Sequence, residues 1–291
     1  MEDRHGGVVA PMRCSWAAIA SLGLCAIVLL IAGASSARAS EPVLSIEIGA
    51  TKHSFTRKQL LESPFVTEID VTRDATYKRP MRYHAIAMGR LLAGIDLPKD
   101  QVLEAVATDG FIGMLPADLV LHPGADAARA YLAIELTDAP WPPLAGKTVS
   151  AGPFYIVWTR PEASGIRTEQ WPYQVAAIRG ADSPAKRWPE LSVDPSLPAD
   201  DPIRAGQTLF VTQCLVCHQL NGAGSANVGP DLNRPEEYFQ SEALQRYIRS
   251  PAALRHWPTM QMQGFDKEAL SDHEIEEIIA YLRHMAGRKA Q

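Results

Sequence analysis

The chain has 291 residues, a formal charge of −5, 46% hydrophobic residues and four cysteines. Its mildly acidic balance gives no electrostatic basis for binding nucleic acid or anionic lipid. Setting aside residues 1–39, with two acids and three bases, takes the charge to −6 and leaves enough chain for two domains with separate cores.

The first segment reads as an export signal. Arg4 and Arg13 form a basic leader, Trp16 to Ala34 is almost wholly apolar, and Ala37-Arg38-Ala39 has the small-x-small form of a cleavage site before Ser40. Residues 1–39 are therefore expected to be a signal peptide, and the mature protein to work in a bacterial periplasm. The alternative is an uncleaved anchor, since about 18 apolar residues approach the length that spans a bilayer. Cys25 is a poor lipidation site, because Leu24 precedes it and the apolar run continues beyond it.

Residues 40–181 carry short strand patterns. Val43–Ile48 alternates apolar and polar residues, and Phe55–Leu61 reads as a strand end followed by a short helix. Ala85–Leu92 is expected to be helical. Val102–Thr108, the Asp109-Gly110 turn and Phe111–Leu115 read as a hairpin, with further strands at Tyr131–Leu136, Phe154–Trp158 and Val175–Ile178. The sum is an α+β domain rich in antiparallel strands. His53, His84 and His122 have no metal-ligand spacing. Trp141, Trp158, Trp171 and Tyr173, with Pro140, Pro142, Pro143 and Pro172, read either as loops pinned over a β core or as a partner surface. The stretch Glu169–Gln174 is the part of that region to test first. No Ser/His/Asp arrangement, phosphate loop or carboxylate pair stands out.

Residues 182–201 contain Pro184, Pro189, Pro195 and Pro198, with Pro202 just after them. This density predicts an extended, semi-rigid connector without regular structure, with a boundary near Leu197. Residues 202–291 should form an all-α domain. Ile203–Val216 reads as a helix opened by Pro202, with Gly206 and Phe210 on one face. Ser271-Asp272-His273-Glu274 is a capping box, and Ile275, Ile278, Ile279, Leu282 and Met285 recur at helical spacing before Gly287.

Between those helices lies Cys214-Leu215-Val216-Cys217-His218. Two thiols two residues apart, followed at once by an imidazole, are the attachment signature of one covalent haem c. The thiols become thioethers, and His218 reaches the iron. A zinc half-site would want a second ligand pair, but Cys14 and Cys25 lie in the expected leader. A redox Cys-x-x-Cys pair would not require the histidine.

With these pieces, residues of about 200–289 resemble a class I c-type cytochrome domain. The resemblance implies that Gly206, Phe210 and Tyr281 form the crossing of first and last helices. It also implies that Pro230, in Gly229-Pro230-Asp231-Leu232, accepts the His218 N–H and orients the proximal ligand. In Trp257–Phe265 it places Met262 at the sixth iron position, although Gln263 stands where the family usually has proline. Met260 is the runner-up and His256 a distant third. Arg246, Tyr247 and Arg249 are either propionate neighbours or solvated charges. Ligation by His218 and Met262 would make the haem a carrier of single electrons.

The preceding domain resembles the molybdopterin-binding domain of the sulfite oxidase family through Asp109-Gly110-Phe111, Leu115-Pro116-Ala117, Tyr131-Leu132-Ala133 and Gly152-Pro153-Phe154-Tyr155. That family ligates molybdenum through a cysteine, and residues 40–213 contain none, so molybdopterin is not expected. The expected protein is a periplasmic monohaem electron carrier between a dehydrogenase and a downstream cytochrome or oxidase, with residues 40–181 as a docking module. A sulfite dehydrogenase-like enzyme or its haem subunit is the alternative, and a haem-based sensor the second.

Overall fold

A computed structural model describes residues 41–98, 101–224, 228–234, 241–256, 260–286 and 288. The expected signal peptide at 1–39, Trp257-Pro258-Thr259 and the Gly287 stop lie outside them. Among the described residues no helix is long and apolar enough to cross a membrane.

The first region is built on two sheets. Its elements run β1 (Val43–Ile48), β2 (Thr51–Thr56), α1 (Arg57–Leu61), β3 (Thr67–Val71), β4 (Met81–Ala87), α2 (Met88–Leu91), β5 (Gln101–Ala107), β6 (Ile112–Leu115), α3 (Ala117–Leu121), β7 (Arg129–Ile134), β8 (Phe154–Thr159) and β9 (Val175–Asp182). One sheet has the order β2-β1-β9-β5-β6 and the other β3-β4-β7-β8. Every pairing is antiparallel except β1 with β9. Alternation in β1 buries Leu44, Ile46 and Ile48, as a strand with one wet face requires. In β8 the first five residues are all buried, so both its faces are covered.

Two sequence expectations fail here. Ala85, Ile86 and Ala87 continue β4, and only Met88–Leu91 is helical. A short apolar run fits either period, and pairing with β3 and β7 decides it. Strand β3 was not foreseen, because TEIDV at a sheet edge buries only Val71 fully.

The connector also differs from expectation. Pro184 and Pro189 open helical turns, α4 (Pro184–Arg187) and a 3-10 turn (Pro189–Leu191), rather than preventing them. Proline suits the first turn, where its missing N–H is not needed. Glu104, 1% exposed in β5, receives Arg179 at 2.8 Å and Arg187 at 2.5 Å. Leu191 and Val193 are buried in the second hydrophobic core, well before Leu197. The segment is a folded strap.

The second region is helical, with α5 (Pro202–Gln213), α6 (Ser241–Arg249), α7 (Pro251–Leu254) and α8 (Asp272–Ala286). Asp201 caps α5 through the Ile203 N–H at 2.8 Å. Ser271 and Glu274 exchange the reciprocal bonds of a capping box on α8. The helices cross at Gly206, where a Cβ would stand 2.0 Å from the Glu277 carbonyl oxygen. The Phe210 and Tyr281 rings meet there at 5.4 Å. Each region has its own hydrophobic cluster, and residues 41–291 form one compact unit.

Candidate haem site

Helix α5 delivers the cysteine pair. Cys214 caps it, donating its N–H to the Phe210 carbonyl at 2.8 Å. One tight turn follows, with the Cys217 and His218 N–H groups both on the Cys214 carbonyl at 3.0 and 2.9 Å. Leu215 and Val216 turn inward, while Cys214 and Cys217 stay half-exposed as free thiols. Burial of their surroundings pushes the Cys214 thiol up to about 12 and the Cys217 thiol to about 11. The Glu169 charge adds to both, and the Asp109 charge to Cys217. A thiolate is disfavoured in such a place. An uncharged thioether is not.

His218 is held by the loop that returns beneath it. Its Nδ1 lies 2.8 Å from the Pro230 carbonyl oxygen. A carbonyl only accepts, so Nδ1 carries the proton and Nε2 keeps a free lone pair. Burial pulls the His218 pKa down while the Pro230 bond pulls it up, and the net direction is downward. Gly229 allows the contact, since a Cβ there would stand 2.4 Å from the ring Cε1. Its N–H donates to the Cys217 carbonyl at 2.8 Å. Asp231 locks the return by accepting the N–H groups of Asn221 at 3.0 Å, Gly222 at 2.6 Å and Asn233 at 2.9 Å.

The sequence places the second iron ligand between Trp257 and Phe265. Met262 packs against the helical core, whereas Met260 is half-buried and outside that cluster. His256 is exposed. The loop path is set by Arg249, which donates from Nη1 to the Phe265 and Leu270 carbonyls at 2.6 and 2.7 Å and from Nη2 to Asp272 at 2.7 Å. Gly264 closes against it, as a Cβ there would stand 2.3 Å from the Arg249 carbonyl oxygen. The sequence leaves Arg249 either a propionate neighbour or a solvated charge, and in the fold it braces the methionine loop.

The other candidates do not assemble. His53 and His122 are exposed and His84 is half-buried beside Glu68. No group of three or more potential metal ligands exists among the described residues. The Glu169–Gln174 stretch turns inward, with Gln170, Trp171 and Pro172 buried and the Gln170 carbonyl accepting the Trp158 indole at 2.8 Å.

The residues present suit a covalent haem. They offer two half-exposed thiols on one turn, an imidazole with its free nitrogen determined, and a glycine that leaves room at the ring. Residues 203–286 match the family model described as cytochrome c. That segment is a helical cytochrome c region, which implies covalent haem c and a haem-based role in electron transfer. No curated protein matches the chain.

Proposed function

We propose that the protein is an exported periplasmic electron carrier with one haem c, joined to Cys214 and Cys217 and ligated by His218 and Met262. The haem supplies a one-electron couple when bound. The observation that carries this reading is the His218 ring, packed on Gly229 and fixed by Pro230, because a fixed neutral imidazole favours a steady ligand over an exchangeable one. Met262 is favoured as the second ligand by its packing on the helical core.

Residues 40–181 form the docking module in this reading, for a dehydrogenase or for a cytochrome or oxidase that takes the electron onward. Their junction with the helical region supports a fixed relation between module and haem. Arg167 pairs with Glu274 and donates to the Ala269 carbonyl, Lys78 lies 3.9 Å from Asp266, and Arg73 meets Glu268.

Absorption spectra of the exported protein, oxidised and reduced, together with its metal content, test the proposal. A low-spin haem c spectrum with the weak red-edge band of iron–thioether ligation, and iron without molybdenum, is expected. A high-spin spectrum overturns the ligation and moves the haem toward sensing or catalysis. Stoichiometric molybdenum overturns the docking role and makes the first region an oxidoreductase domain.

A further inference from the structure

Residues 260–266 form no regular element and contain no proline, so the methionine loop takes its position from what is packed around it. It ends in a tight turn. Asp266 Oδ1 accepts the N–H groups of Glu268 at 3.0 Å and Ala269 at 2.7 Å, and its carbonyl accepts the Leu270 N–H at 3.0 Å. Arg249 braces this turn from the helical region. The β-rich region holds it from the other side. Arg167 donates from Nη1 to the Ala269 carbonyl at 3.4 Å and pairs through Nη2 with Glu274, whose other oxygen accepts the Ser271 N–H at 2.8 Å. Arg73 meets Glu268 at 2.5 Å, and Lys78 lies 3.9 Å from Asp266. Arg167 and Lys78 are rooted in the β core. The Arg167 N–H donates to Oε1 of Gln170, in the 3-10 turn Thr168–Gln170, at 2.8 Å, and the Gln170 carbonyl accepts the buried Trp158 indole. The Lys78 N–H donates to the carbonyl of Asp74, whose carboxylate accepts the Tyr83 and Tyr155 hydroxyls.

We propose that the β-rich region positions the methionine loop for the haem, with Arg167 as the main positioning residue and Arg73 and Lys78 as lesser ones. The inference rests on the haem reading given above and deepens it, because in that reading the loop supplies the sixth iron ligand. A thioether on the iron competes with any outside ligand for one coordination position. The apparent affinity for an outside ligand therefore scales with the fraction of protein whose methionine is off the iron. A turn clamped from both regions keeps that fraction small. Arg167 has the largest share, because its pair with Glu274 is half-buried and its planar guanidinium spans that carboxylate and the Ala269 carbonyl. The Arg73–Glu268 and Lys78–Asp266 pairs are exposed, and water screens them. On this account the first region sets how firmly the haem keeps its sixth ligand, as well as offering a surface.

The test is a spectroscopic titration of the oxidised, haem-loaded full chain with imidazole, at low salt and about pH 8, where imidazole is uncharged. Arg167→Met is expected to bind imidazole about fivefold more tightly than wild type, and Arg73→Ser with Lys78→Ser about threefold. Hydrogen exchange in the 266–270 turn should quicken in the same order. Arg160, which bonds the Ala125 and Ala127 carbonyls of its own region, is the control, and Arg160→Met leaves the affinity in place. An Arg167→Met protein with wild-type spectrum whose affinity stays within about twofold of wild type overturns the proposal. An equal gain in Arg160→Met also overturns it, since general loosening of the β-rich region would then be the cause. If Arg167→Met fails to load haem, Arg73→Ser with Lys78→Ser decides in its place, and an unmoved affinity there overturns the idea. Wild-type protein that binds imidazole as readily as Met262→Ala protein would sink the Met262 reading instead, so the two failures are distinguishable.

Discussion

The β-rich region closes its core by itself, whereas the helical region is built around one crossing and an attachment turn. Strand β8 is covered on both faces, and Tyr83, Trp141, Tyr155 and Trp171 interlock with ring centroids 4.9 to 6.3 Å apart. Its buried acid Asp74 is satisfied too, as Glu104 is. Asp74 accepts both tyrosine hydroxyls, Tyr83 at 2.8 Å and Tyr155 at 3.1 Å, and the N–H groups of Thr76 and Tyr77. In the helical region α5 and α8 touch through Gly206, Phe210 and Tyr281, while Cys214 and Cys217 remain half-exposed on its turn. A large apolar group bonded at that turn would add to the order of the helical core. One region packs a continuous core across two sheets. The other carries the haem attachment turn.

The sharpest break in that comparison is loss of attachment. Cys214→Ala with Cys217→Ala should leave the β-rich region folded and strip hydrogen-exchange protection from α5 and α8. Mass-resolved exchange reads both regions in one sample. Equal loss of protection in β7 and β8 would show that the regions stand or fall together, and would refute the contrast.

Next in size is Gly229→Ala. The added methyl would sit 2.4 Å from the imidazole, so the ring must move and the Pro230 bond must lengthen. Overpacking of this kind costs about 1–3 kcal/mol, and the visible result should be a weakened proximal bond with a high-spin component in the spectrum. A low-spin spectrum of wild-type shape would show that the loop yields and the ring does not.

Met262→Ala against Met260→Ala sharpens the comparison within the helical region. Truncating the methionine that packs on the core should give a high-spin haem, while truncating its neighbour leaves the spectrum unchanged. The reverse pair of spectra would put the ligand two residues earlier and leave Met262 a packing side chain.

The parts of this site legible in sequence are those fixed over a few residues. The spacing Cys214–His218, the capping box at Ser271 and the helical repeat to Met285 are local, and each appears where the spacing puts it. Most strands were legible through alternation. Failures came where long-range contacts decided: Ala85–Ala87 pair with β7 residues almost fifty positions away, and Pro184 and Pro189 open turns of a strap held by Glu104. Arg249 could not be separated from its charged neighbours, because only the folded loop brings the Phe265 and Leu270 carbonyls to it. The Glu169–Gln174 stretch stands out in the sequence, but the packing of its 3-10 turn on α5 follows from the junction of two regions, which one strand or helix pattern does not encode.

That junction gives the smallest of the expected effects. The Arg167–Glu274 pair has side chains only 27% and 21% exposed, so water screens it less than an ordinary surface pair. Burial raises the Glu274 carboxyl, but the Ser271 N–H and Arg167 outweigh it and the net direction is downward. The sign follows. A carboxyl depressed in the folded state stabilises the protein above its ordinary value of 4.5, and that contribution is lost as pH falls through the folded value. Arg167→Met should remove about 1 kcal/mol at neutral pH, read by denaturant unfolding of the haem-loaded protein. At a pH low enough to protonate Glu274 the difference between the two proteins should shrink. A difference that stays constant into the acid range would mean that Arg167 acts through its packing and the Ala269 carbonyl, with its charge contributing nothing to the bond between the two regions.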